Sequence, residues 1–179
     1  MTMIENAMQY RLKDQTCIQL ELVGPHCREQ YLNGFAHISK RTNINRFHTF
    51  KNGFSEAELK YLLEVDNVNH LAIGAIDCSK PELGVGLVRY IRQDTNPLVA
   101  EAAIVVIDEY QHRGLGHLLY AELIHHAAEN GIEYLLNIVK KDNRDMLTLL
   151  KSFNATKINE SDYYYELVTN THNKLLKTA

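Results

Sequence analysis

The spacing of apolar positions changes period several times along the chain. From Thr16 to Val23, Ile18, Leu20 and Leu22 recur every second residue before Gly24-Pro25 stops the run, which is the pattern of a strand with one buried face. His26 to Lys40 reads as a helix. A firmer helix opens at Ser55, where Ser55 and Glu58 have capping-box spacing and Leu59, Leu62 and Leu63 supply a buried stripe. His70 to Cys78, Gly84 to Gln93 and Leu98 to Asp108 are strand-like runs separated by Ser-Lys-Pro-Glu-Leu and Asp-Thr-Asn-Pro, turn chemistry that predicts antiparallel neighbours. From Gly114 to Asn130 the period becomes helical, with Leu115, Leu119, Leu123 and Ala127 on one line and Gly131 as the stop. Tyr134 to Val139 reads as a strand, Asn143 to Ser152 as a short helix, and Tyr163 to Val168 as a last strand after a polar loop. Residues 1–14 are expected to be a flexible or helical extension. The connections are of turn length and no repeat is present, so residues 1–179 are expected to form one mixed α/β domain.

The densest chemistry lies in EYQHRGLGHLLYAEL. Gln111, Gly114 and Gly116 fall between an apolar strand and the strongest helix, where unpaired backbone N–H groups meet the positive end of the helix dipole. Glycines there let an anion approach the backbone, and Arg113 offers a cation to a pyrophosphate. On spacing alone, a plain strand-to-helix turn accounts for these residues equally well. A dinucleotide fingerprint would need a third glycine where Leu119 stands, and a Walker loop would need Gly-Lys-Ser/Thr. Glu101 interrupts a run whose same-side neighbours are Val99, Ala103, Val105 and Ile107. Partial burial there would raise its pKa and suit a proton acceptor; a solvent-facing glutamate, or one paired with Arg89 or Arg92, is the plainer alternative.

Gln111-x-x-Gly114-x-Gly116 after a strand resembles the acyl-CoA-binding motif of the GNAT superfamily of N-acetyltransferases. Ser39, Thr42, Arg46, Phe47, Phe54-Ser55, Leu59, Val65-Asp66, Arg89-Tyr90 and Ala100-Glu101 resemble its bacterial protein-lysine acetyltransferase (Pat-like) branch. The likeness runs from about Ser39 to Phe153. It implies a GNAT-like, mostly antiparallel sheet of six or seven strands flanked by about four helices. It also implies acetyl-CoA as cosubstrate, with Ile104 and Val106 pairing with the pantetheine arm. Gln111, His112, Arg113, Gly114, Leu115 and Gly116 would hold the pyrophosphate, Asn143 would open the next helix beside the coenzyme, and Glu101 would act as general base. The activity so implied is direct acetyl transfer in a ternary complex to a primary amine, a protein lysine in this branch. A polyamine, amino sugar or drug acceptor, or a non-catalytic acyl-CoA-binding regulatory module, are the alternatives. Leu149 and Leu150 stand where many members carry a tyrosine acid, so the general acid is unassigned.

Composition narrows the partners. A net charge of −3 gives no basic field for nucleic acid. Cys17, Cys27 and Cys78 are an odd number without CxxC spacing, which predicts reduced thiols and a cytoplasmic setting. The N-terminal stretch lacks the apolar centre of a signal peptide. The central apolar run, Ala102 to Ile107, is far too short to cross a bilayer, so no membrane partner is expected. The nine histidines include no His-x-x-x-His pair and no closed Cys/His set, so no metal is expected; a homodimer is compatible with the composition.

Overall fold

The computed structural model describes residues 8–172. They form an eight-stranded sheet: β1 (Met8–Arg11), β2 (Cys17–Leu22), β3 (His70–Asp77), β4 (Lys80–Arg92), β5 (Val99–Val106), β6 (Tyr134–Lys140), β7 (Thr156–Glu160) and β8 (Tyr164–Asn170). The spatial order is β1-β2-β3-β4-β5-β6-β8-β7. Every pairing is antiparallel except β5 with β6. The helices are α1 (Arg28–Ala36), α2 (Lys40–Phe47), α3 (Glu56–Leu63), α4 (Leu115–Glu129) and α5 (Arg144–Ser152). No helix among the described residues is long and apolar enough to cross a membrane.

The main core lies between one sheet face and α4. Leu115, Leu119, Leu123 and Ala127 are fully buried there, each leucine contributing about 1.5–3 kcal/mol by leaving water. The opposite face carries a smaller cluster of Val23, Cys27, Leu63 and Ala72, with Tyr31 of α1 and Leu87 packed against it. The expected capping box at α3 is present: Ser55 Oγ accepts from the Glu58 amide and Glu58 reaches back to the Ser55 amide. Gly131, at φ +74, stops α4 as its sequence position predicts.

The α/β class is as expected, with two more elements at the edges. Residues 8–11 are extended rather than helical or flexible, and residues 1–7 lie outside the described residues. The polar loop before the last strand contains β7, an edge strand exposed along its length. The single helix expected over 26–40 is a 3-10 turn (Pro25–Cys27) followed by α1, and α2 then starts afresh at a Ser39 cap. Cys17 and Cys78, expected to be reduced, are joined in a disulfide with Cα atoms 5.5 Å apart. The Ile18–Asp77 register sets them side by side at the ends of β2 and β3. The odd count conceals this pair, so it no longer argues for a reducing compartment. Cys27 is the free cysteine; burial, with Glu21 beside it, pushes its thiol up to about 11, so the free side chain is a thiol rather than a nucleophilic thiolate near neutral pH.

Candidate active site

The feature that organises the site is a gap between β5 and β6. Their parallel pairing covers only Val99–Tyr134, Ala100–Leu135 and Glu101–Leu136, although both strands run on beyond it. Each keeps its outer partner: β4 pairs β5 as far as Val106, and β8 pairs β6 as far as Lys140. The Gln93 amide donates to the Val99 carbonyl (2.9 Å) and the Ile107 amide to the Val85 carbonyl (3.1 Å), so the odd-numbered residues of β5 spend their backbone groups on β4. The backbone of Ala102, Ile104 and Val106 therefore faces the gap. At its vertex the buried Asn137 donates from Nδ2 to the Ala102 carbonyl (2.8 Å), and Tyr120 OH donates to Asn137 Oδ1 (2.6 Å). A side chain closes the last ladder position and the strands separate beyond it.

The wide end of the gap meets the start of α4. A 3-10 turn (Asp108–Tyr110), Gln111, His112 at φ +60 and Arg113 lead to Gly114, the helix cap, at φ +95. Only Gly escapes strain at that cap. Leu118 is the first amide to bond back, to the Gly114 carbonyl at 3.1 Å, so the amides of Gly114, Leu115, Gly116 and His117 have no intrahelical acceptor. Gly116 has ordinary backbone angles, and a Cβ there would meet only Leu149 Cδ2 at 3.8 Å. Packing within the chain does not require glycine at this position, and its bare Cα leaves the cleft open above the helix end.

Gap and helix end form one cleft of about 660 Å³, within the range of ligand sites. Of the candidate catalytic and coenzyme-binding residues, all line it except Arg113 and Leu115. Leu115 is fully buried in the core, so only its amide is available. Arg113, expected to lie against a pyrophosphate, turns instead to Asp14 (3.0 Å) and stacks over the Tyr110 ring (4.9 Å from the centroid). Lys13, from the turn between β1 and β2, lines the cleft in its place, with Cε 3.8 Å from where a Gly114 Cβ would be. It has no acidic partner among the described residues. Nothing in the sequence near the glycines points to it.

Gln111 is already engaged, donating from Nε2 to the Val106 carbonyl (2.9 Å) and, more weakly, to Thr42 Oγ1 (3.3 Å). That leaves the Val106 amide and both backbone groups of Ile104 for a ligand. Asn143 caps α5, its Oδ1 accepting from the Met146 amide at 3.3 Å. Asp108 ties α2 to this loop by accepting from the Ser39 amide (2.8 Å), Ser39 Oγ (2.7 Å) and Thr42 Oγ1 (3.0 Å). Burial would raise the Asp108 pKa, but these donors outweigh it and hold the carboxyl below its ordinary value.

Glu101 lies at the vertex and is exposed to the cleft, not partly buried as the sequence suggested. It makes no ion pair with Arg89 or Arg92. Arg46 and His48, from the end of α2, share its side of the cleft. Burial lowers the Arg46 pKa, opposed by Tyr31 and Glu101. Burial and then Arg46 lower that of His48, whose imidazole is consequently neutral near pH 7. Tyr164 packs edge-on against His48 with ring centroids 5.0 Å apart. The expected absence of a tyrosine on α5 leaves Met146 and Leu149 facing the cleft there.

Residues 46–154 match the Acetyltransferase (GNAT) family. Over 148 residues the chain is 30% identical to Acetyltransferase Pat of Mycolicibacterium smegmatis, an alignment covering 79% of this chain and 42% of that protein. The chain thus spans about two-fifths of that relative's length. Its fold matches the GNAT domain of S. lividans PAT with a TM-score of 0.84 at 19% identity, covering 92% and 96% of the two chains. It also matches an acetyltransferase from Salmonella typhimurium, whose structure includes its cofactor acetyl-CoA, with a TM-score of 0.69 at 11% identity over 86% and 94%.

Proposed function

Because the chain belongs to the GNAT acetyltransferase family, we propose that it carries an acetyl group from acetyl-CoA to a primary amine, the acceptor being a lysine side chain of a protein. The observation that carries this reading is the continuity of the cleft: unpaired main-chain groups of β5 lead directly to the unpaired amides of α4. The cradle left open at Gly116 suits a diphosphate. In this reading the pantetheine arm lies along Ile104 and Val106 as an added strand, and Lys13 supplies the cation that Arg113 does not. The thioester then reaches the vertex, and the amine enters from the side of Glu101, Arg46 and His48.

A lysine amine has a pKa near 10.4, so the ammonium must lose a proton to solvent before it can attack. The neutral nitrogen adds to the thioester carbonyl, forming the C–N bond and an oxyanion that β5 amides stabilise. Glu101 accepts the second proton of the nitrogen. The C–S bond breaks, CoA leaves as thiolate, and water protonates it, which accounts for the lack of a tyrosine acid. Protein lysine as acceptor is supported by the Ala100-Glu101 and Arg89-Tyr90 pattern of the Pat-like branch.

Glu101→Gln is expected to leave acetyl-CoA affinity unchanged and to lower acetyl transfer by about 10²-fold or more. Equal rates near neutral pH would remove Glu101 from the reaction. Radiolabelled acetyl-CoA offered with whole-cell protein and with polyamines and amino sugars identifies the acceptor; label confined to the small amines would overturn the lysine assignment.

A further inference from the structure

Away from the cleft, where β2 turns into α1, a carboxylate, an imidazole and a thiol come together. Glu21 stands on β2, and Gly24-Pro25 reverses the chain into the 3-10 turn that brings His26 and Cys27 back over it. The Cys27 amide donates to the Gly24 carbonyl at 2.9 Å and closes the turn. The donor atoms of Glu21, His26 and Cys27 lie within 4.8 Å of one another, and none of the three residues lines the cleft.

Glu21 is only 9% exposed, yet among the described residues it makes no ion pair, and its one hydrogen bond comes from Cys27 Sγ at 3.4 Å. Asp77, similarly buried, accepts from the Ser79 amide, Ser79 Oγ and Tyr110 OH. A carboxylate taken out of water needs several such donors or a cation, and Glu21 has neither within the chain. Gly24 supplies a second sign. Its φ of −149 is extended backbone that any residue adopts, but a Cβ there would come within 2.9 Å of His26 Nδ1. Glycine at this position makes room for the imidazole to lie back over the turn, on the side of Glu21 and Cys27.

We propose that Glu21, His26 and Cys27 bind a zinc ion, with water in an open fourth position. Zinc takes thiolate sulfur at about 2.3 Å and imidazole nitrogen or carboxylate oxygen at about 2.0–2.2 Å, which spaces tetrahedral donors about 3.4–3.6 Å apart. The edge between Glu21 Oε1 and Cys27 Sγ, at 3.4 Å, already has that length. His26 is exposed, so turning its ring closes the remaining distance. A thiolate and an imidazole select zinc over calcium and magnesium, which take oxygen donors. On binding, the Cys27 S–H bond breaks, the S–Zn bond forms and the proton leaves to solvent; carboxylate and thiolate then balance the charge of the ion.

The test uses the whole chain with the Cys17–Cys78 disulfide intact, so that Cys27 is the one thiol. Zinc titrated in competition with a chromophoric chelator should bind at one ion per chain, with a dissociation constant below about 10 µM and release of a proton. Cobalt in its place should show thiolate-to-metal charge transfer together with tetrahedral visible bands. Cys27→Ala and Glu21→Gln should each lower zinc affinity by about tenfold or more, since loss of an outer-shell partner alone costs 10–100-fold. Zinc at about a hundredfold excess over its dissociation constant should raise the thermal midpoint of the wild type by about 5–10 °C and leave that of Cys27→Ala unchanged. Wild-type binding weaker than about 10 µM, equal zinc affinity in the wild type and both variants, or a cobalt complex without the thiolate band would overturn the site. None of these outcomes bears on acetyl transfer, whose residues are separate.

Discussion

Asn137 is the residue whose removal is expected to damage the scaffold and the site together. It is 1% exposed at the vertex where β5 and β6 part, and both ends of its amide are used. Asn137→Ala strands the Ala102 carbonyl in the core, at about 1–3 kcal/mol for a buried acceptor left unpaired. Tyr120 OH loses its 2.6 Å acceptor but retains Thr169 Oγ1 at 3.1 Å, which limits the second loss to about 1 kcal/mol. The sum, about 2–4 kcal/mol, corresponds to a fall of roughly 4–16 °C in thermal midpoint for a domain of this size. Tyr120→Phe alone should cost about 1–2 kcal/mol. The double variant should be less destabilised than the sum by about 1 kcal/mol, because the two side chains share a hydrogen bond. Chemical denaturation followed by circular dichroism measures all three. An Asn137→Ala variant within about 0.5 kcal/mol of wild type, or strictly additive losses, would refute the claim that this amide anchors the vertex.

The other expectations follow from single contacts. Lys13→Ala should raise the acetyl-CoA dissociation constant by about five- to tenfold at low ionic strength, with the difference shrinking in 1 M salt; calorimetry with no change at low salt would remove Lys13 from the phosphate site. His70 Nε2 accepts from Arg89 Nη1 at 3.0 Å, and burial followed by the Arg89 charge lowers the His70 pKa from 6.5 to about 4. Between those values the unfolded chain binds the proton that the folded chain refuses, so stability falls as pH drops from about 6.5 toward 4. His70→Gln should flatten that part of the stability profile, and an NMR titration of His70 near its ordinary value would contradict the assignment.

How much of this was legible in the sequence depended on where each residue's partners lay. The strands β3 to β5 were readable because they are apolar runs bounded by turn residues, and helix α4 because its apolar positions repeat with one clear period. By contrast, β7 buries no face, so its residues look like a polar loop. Helix α2, Lys-Arg-Thr-Asn-Ile-Asn-Arg-Phe, has almost no apolar stripe; its docking depends on Asp108, far along the chain. The glycines of the cleft announced themselves because backbone requirements are local. The charge beside them did not: Arg113 is diverted by Asp14, 99 residues earlier, and Lys13 arrives from the same hairpin turn. Asn137 left a trace as the one polar residue within Tyr-Leu-Leu-Asn-Ile-Val, but its role needs a parallel neighbour that the sequence does not display.

The claim on which the rest depends is that the amides leading α4 hold the phosphates of acetyl-CoA above Gly116. Calorimetric titration of acetyl-CoA into the wild type and Gly116→Val tests it most directly, since a valine side chain there would occupy the cradle while meeting little of the chain itself. The account predicts saturable binding to the wild type and none to the variant, with both proteins unfolding at the same temperature. Absence of binding to the wild type, or equal affinity in the two, would contradict it.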